Sequence, residues 1–80
     1  MAYDILINNI NLIHTTKMGI NRIKNNLYIN DDVISYCKKI ILNPKTNIYC
    51  KGKNYYCELD NIRLTINAYS YTIITAHLIK

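Results

Sequence analysis

Phenylalanine and tryptophan are missing from this 80-residue chain, and eight tyrosines supply every aromatic ring. The three cysteines, Cys37, Cys50 and Cys57, are odd in number, form no CxxC pair and match no zinc spacing. A disulfide framework and a motif-borne metal site are therefore not expected, and free buried thiols in a reducing compartment are the plain reading. No apolar run approaches the ~20 residues of a membrane span. The opening MAYDILINNINLI carries Asp4 and lacks the basic leader of a secretory signal. With one proline and two glycines there are no linkers, repeats or low-complexity segments. Together these absences predict a soluble, cytoplasmic protein with no membrane partner and no cofactor.

What is present fits one core, and the whole of 1–80 reads as a single domain. Half of the residues are apolar, with isoleucine dominant. Abundant asparagine, isoleucine, lysine and tyrosine fit an AT-rich coding sequence, which lowers the weight of any single Asn or Lys. Ten Lys and Arg against five Asp and Glu give a net charge of +5. That balance favours acidic partners such as RNA, DNA or anionic proteins. The cations are spread along the chain, from Lys17 and Arg22 to Lys53 and Arg63, so they also read as an ordinary solvated surface.

The apolar period divides the chain in two. Tyr3, Leu6, Ile7, Ile10 and Ile13 fall at helical spacing, as do Ile20, Ile23 and Leu27, with Thr15 or Thr16 as the cap of the second helix. Gly19 inside that helix predicts close approach of another backbone. The third helix has Asn30 or Asp31 as cap, buries Val33, Ile34, Cys37, Ile40 and Ile41, and stops at Pro44. After Pro44 the period becomes two. NIYC, YYCEL, IRLTINAY and YTIITAHLI read as strands joined by short turns, hence antiparallel hairpins. The expected fold is α+β, with two to three helices over about 3–43 packed on one face of a four-stranded antiparallel meander over about 47–79.

If Leu64, Ile66, Ile74 and Ala76 face the helices, the opposite face collects Tyr56, Glu58, Arg63, Thr65, Asn67, Tyr69, Thr75 and His77, with Tyr49 and Lys51 beside them and Lys53 in the adjoining hairpin. Cations, hydroxyls, tyrosine rings and an imidazole on one surface suit RNA. Lys and Arg neutralise phosphate, rings stack on unpaired bases, and Asn or Thr bond base edges. Cleavage without a metal needs a base, an acid and a cation for the phosphorane. His77 suits the first or second role, Lys51, Lys53 or Arg63 the third, and Glu58 is a partner base or a simple ion-pair member. Each residue also has a plain structural reading: His77 as a sheet-edge residue, His14 as a local hydrogen-bonding group before a helix, and the tyrosines and threonines as ordinary strand formers.

The segments IHTTKMGINRIKNNL, KGKNYY and TINAYSYTIITAHLI resemble, over Ile13–Ile79, a family of small uncharacterised proteins of Firmicutes and their phages, a domain of unknown function. In outline that family is similar to the barnase/EndoU/colicin/RelE-like nuclease fold. The matching positions are His14, Thr15, Thr16, Gly19, Arg22, Asn26, Lys51, Lys53, Asn54, Asn67, Tyr69, Ser70, Thr72, Thr75 and His77. The resemblance carries no residue roles, but it draws His14 and His77 together as an acid/base pair.

The leading expectation is a small RNA-directed protein, a metal-independent toxin-type endoribonuclease. Catalytic candidates are His77, His14 and Thr75. Nucleic-acid-binding candidates are Arg22, Lys51, Lys53, Arg63, Asn67, Tyr56 and Tyr69, and the partner is single-stranded RNA. The alternative is a non-enzymatic phage or host-defence accessory protein that binds and inhibits a protein complex. A homodimer through open sheet edges is a further expectation.

Overall fold

A computed structural model describes residues 2–79, without the side chains of Ala2 and Tyr3. Tyr3, expected in the first apolar stripe, thus has its side chain outside the described residues. Three helices, α1 (Ala2–Asn8), α2 (Lys17–Leu27) and α3 (Val33–Leu42), precede four strands. The strands are β1 (Asn47–Lys51), β2 (Asn54–Leu59), β3 (Ile62–Asn67) and β4 (Ile73–Leu78), in spatial order β1-β2-β3-β4 with every neighbour antiparallel. This is the expected α+β layer. No helix among the described residues is long and apolar enough to cross a membrane.

The first apolar stripe does not stay one helix. Asn9 turns its side-chain amide back onto the Ile5 carbonyl at 2.8 Å, and the chain continues as a 3₁₀ turn over Ile10–Leu12. Helix α2 is capped by Thr16, whose hydroxyl accepts from the Gly19 N–H at 3.0 Å. Thr15 instead donates its hydroxyl to the Ile73 carbonyl at 2.9 Å. Helix α3 is capped by Asp32, not by Asn30 or Asp31. Its Oδ2 takes both the N–H and the hydroxyl of Ser35, a pair available only one residue further on.

The core joins Leu6, Ile13, Ile23, Leu27, Val33, Cys37, Ile40 and Ile41 to Tyr55, Cys57, Leu64, Ile66, Ile73 and Ala76 of the sheet. Ile20 and Ile34 are partly buried at its edge. One strand departs from strict alternation. The register runs Thr65↔Thr75 and then Ile66↔Ile73, so Ile74 is an extra residue in β4. This bulge reverses the expected pair: Ile73 is 1% exposed and Ile74 is 42% exposed. The cause lies in the segment just before α2. The Ile73 N–H bonds the His14 carbonyl at 2.7 Å while its carbonyl takes the Thr15 hydroxyl, and His14 bridges Thr72 in parallel sense. Ala76 and His77 keep the sides expected of them.

Gly19 accommodates side chains, not a neighbouring backbone. A Cβ there would collide with the Thr15 hydroxyl and crowd that of Thr16. Ala at this position therefore forfeits the Thr15–Ile73 bond, and destabilisation of about 1–2 kcal/mol is expected despite the better helix propensity of Ala. In a Thr15→Ala background the same change becomes neutral or stabilising. A denaturant double-mutant cycle giving a coupling of about 1 kcal/mol or more confirms the contact, and additive costs refute it.

Two thiols are buried as expected, but Cys50 is exposed, because β1 is an edge strand. Burial pushes the Cys37 and Cys57 thiols up to about 12. A thiol reagent at neutral pH should modify one cysteine of the native protein within the time that all three react in denaturant. Fast reaction of Cys37 or Cys57 in the native state would contradict this packing.

Candidate functional site on the open sheet face

The uncovered face is built by parity. In the register Asn47↔Glu58, Glu58↔Arg63 and Arg63↔His77, three chemically capable side chains occupy one row across β2, β3 and β4. Adjacent members of such a row have Cβ atoms about 5 Å apart. The next row is Tyr49, Tyr56, Thr65 and Thr75, and beyond it lie Lys51, Asn54 and Asn67.

Glu58 is the hub. Its Oε2 accepts the Tyr49 hydroxyl at 2.6 Å and the Arg63 Nε–H at 3.0 Å. The Tyr49 hydrogen bond, with the Arg63 hydrogen bond and charge, holds the Glu58 carboxyl below its ordinary 4.5, and the same bond pushes the Tyr49 phenol up. Only the Nε–H of Arg63 is used in this pair, and a guanidinium has five N–H donors, so among the described residues its Nη groups are left to meet an anion. Tyr49 and Tyr56 stack with ring centroids 5.3 Å apart and planes 22° from parallel. The result is an aromatic platform beside a carboxylate, a guanidinium and an imidazole.

The other expected residues are distributed more widely. Thr75 stands in the tyrosine row, and Lys51 is exposed at its edge. Lys53 occupies the β1–β2 turn, next to Gly52 at φ 62. Asn67 lies at the face, but its Oδ1 is committed to the N–H groups of Tyr69 and Ser70. That turn ends β3 early, so Tyr69 sits in the β3–β4 loop, 77% exposed, and not on the strand face where it was expected. Arg22 is exposed on α2, in the helical layer.

His14 and His77 are not brought together. His14 Nδ1 lies 2.8 Å from the Leu12 carbonyl, and Nε2 lies 3.0 Å from the Thr72 hydroxyl, which in turn bonds the Ser70 hydroxyl at 2.8 Å. A carbonyl only accepts, so Nδ1 carries a proton there. Thr72 precedes His77 by five residues of chain, roughly 15 Å at strand rise. His14 thus belongs to a hydrogen-bonded latch between the segment before α2 and the start of β4. Sequence reasoning saw both halves of this latch as motif segments but had no signal for their contact, since 58 residues separate them. Tyr49 as partner of Glu58 was equally invisible, because it depends on register. No group of three His, Cys, Asp or Glu residues that could hold a metal ion occurs among the described residues.

A depressed carboxyl adds stability above its unfolded pKa and loses it as pH falls through the folded value. Glu58 therefore contributes at neutral pH, and its contribution disappears on acidification below 4.5. Removing the Tyr49 hydroxyl in Tyr49→Phe should bring the Glu58 titration back toward 4.5 and weaken this acid dependence. Carboxyl NMR titration of both proteins tests it, and an identical Glu58 curve in the two would show that Tyr49 is not its main partner.

No curated protein and no solved structure matches the chain. The model of one family, described as a protein of unknown function (DUF3781), matches residues 7–77, from α1 to the imidazole-bearing position of β4. The chain belongs to this DUF3781 family.

Proposed function

We propose that the protein is a small cytoplasmic RNA-directed endoribonuclease of toxin type, acting without a metal on single-stranded RNA at the open sheet face. The observation that carries this reading is the Glu58–Arg63–His77 row, one residue from each of three adjacent strands on an uncovered surface.

The chemistry follows from the order of the row. Glu58, ionised at neutral pH, takes the proton of a ribose 2′-hydroxyl. The 2′-oxygen then forms a bond to phosphorus while the bond from phosphorus to the 5′-oxygen breaks. His77 in its protonated form gives its proton to the departing 5′-oxygen. Arg63, between them, meets the charge on the phosphorane with its free Nη groups. A terminal 2′,3′-cyclic phosphate and a 5′-hydroxyl result. The Tyr49–Tyr56 pair offers ring faces to unpaired bases, and Lys51 with Lys53 extends the positive charge along the strand. His14 has no place in these steps.

The test is cleavage of a single-stranded RNA in the presence of a chelator, with end-group analysis. Cyclic phosphate ends are expected, with no cleavage of the 2′-deoxy substrate. His77→Ala and Glu58→Gln should each slow cleavage about 10²-fold or more. A wild-type protein that neither cleaves nor binds such RNA at low salt, where phosphate contacts are strongest, overturns the proposal.

A further inference from the structure

Among the described residues, three other than glycine hold left-handed backbone angles: Tyr28 at φ 57, Asp60 at φ 55 and Tyr71 at φ 58. A residue with a Cβ resists this conformation, so each needs a compensating reason. Asp60 lies in the two-residue turn between β2 and β3, where a positive φ matches the twist of the hairpin and Asp tolerates it. Tyr71 packs against the core, and its carbonyl accepts the His14 N–H. Tyr28 closes α2: its own N–H and that of Ile29 both bond the Lys24 carbonyl. It follows α2 at the position where glycine is the usual residue, and it is 85% exposed. The cap accounts for the backbone angle, but not for a bulky exposed ring where glycine would serve at less cost.

That ring borders an open cleft of about 790 Å³, whose other lining residues are Asn21, Lys24, Asn25, Ile29 and Asn30. Each of the three carboxamides offers both a donor and an acceptor, and Lys24 offers a cation. Asp31 and Asp32 follow directly on Asn30, and Lys24 is close enough to Asp32 to act on its carboxyl. Two carboxylates beside one lysine weigh against a ligand that carries a run of phosphates.

We propose that this cleft is a binding site for a mononucleotide. The base stacks on Tyr28, its polar edge and the ribose are read by Asn21, Asn25 and Asn30, and a single phosphate meets Lys24. The site lies in the helical layer and does not depend on the ribonuclease reading of the sheet face.

The full chain is titrated with 5′-AMP by NMR, with inorganic phosphate as the control, alongside Tyr28→Gly and Tyr28→Phe. Shifts are expected at the Tyr28 ring and at the side-chain amides of Asn21, Asn25 and Asn30. Tyr28→Gly should raise Tm by about 4–8 °C through relief of the backbone while weakening AMP binding about 10-fold or more. Tyr28→Phe should keep the wild-type affinity, and so should His77→Ala, which disables only the sheet face. The inference falls if AMP leaves these signals unmoved, if phosphate alone reproduces the shifts, if Tyr28→Gly binds AMP as wild type does, or if that variant melts lower.

Discussion

Alternation of side chains along a paired strand is the constraint on which the rest of this molecule depends. Once Tyr55, Cys57, Leu64, Ile66 and Ala76 are buried against the helices, their neighbours Tyr56, Glu58, Arg63, Thr65, Thr75 and His77 have no choice of side. The hydrophobic core and the chemical face are therefore one decision. Residues are aligned across strands by the same register that buries the apolar set, and this brings Glu58, Arg63 and His77 into one row although up to 19 positions separate them in the chain.

The bulge in β4 shows how the constraint is adjusted without being broken. Ile73 is claimed by the core and by the His14–Thr16 segment together, and one extra residue absorbs the conflict. Below the bulge the alternation resumes, so His77 keeps its side. The same segment protects the edge of the sheet. Backbone groups of β4 that would face outward are taken by His14, by the Thr15 hydroxyl and by the Asn26 amide on the Ala76 carbonyl. Gly19 leaves the space that Thr15 needs to do this. A short stretch ahead of α2 thus covers the start of one edge, caps a helix and fixes the start of the last strand.

Electrostatics on the open face follow the same pattern of local compensation. Glu58 is held ionised by a phenol and a guanidinium, and the guanidinium still has donors left over. The +5 charge of the chain is not gathered there. Lys17, Arg22 and Lys24 lie on α2, while Lys51 and Arg63 lie on strands and Lys53 in the turn between β1 and β2. The positive field is therefore diffuse, with one guanidinium ordered by its carboxylate partner.

Periodicity alone determined the element types, the order helices then meander, and the sides of Leu64, Ile66, Ala76, Arg63 and His77. These were legible because a period of 3.6 or 2 is a local property that burial of one face imposes on neighbouring residues. The tertiary structure decided what the apolar period does not carry. It set the bulge that exchanged Ile73 for Ile74, the turn that took Tyr69 off the strand, the separation of His14 from His77, and the meeting of Tyr49 with Glu58. It also selected Asp32 over its neighbours as the cap and left Tyr28 strained and uncovered. The bulge and the place of His14 depend on where a second segment, distant in the chain, offers a hydrogen bond, and that partner is specified only when the core has closed. The Asp32 cap and the Asn67 turn are instead local competitions between neighbouring side chains that the apolar period does not report.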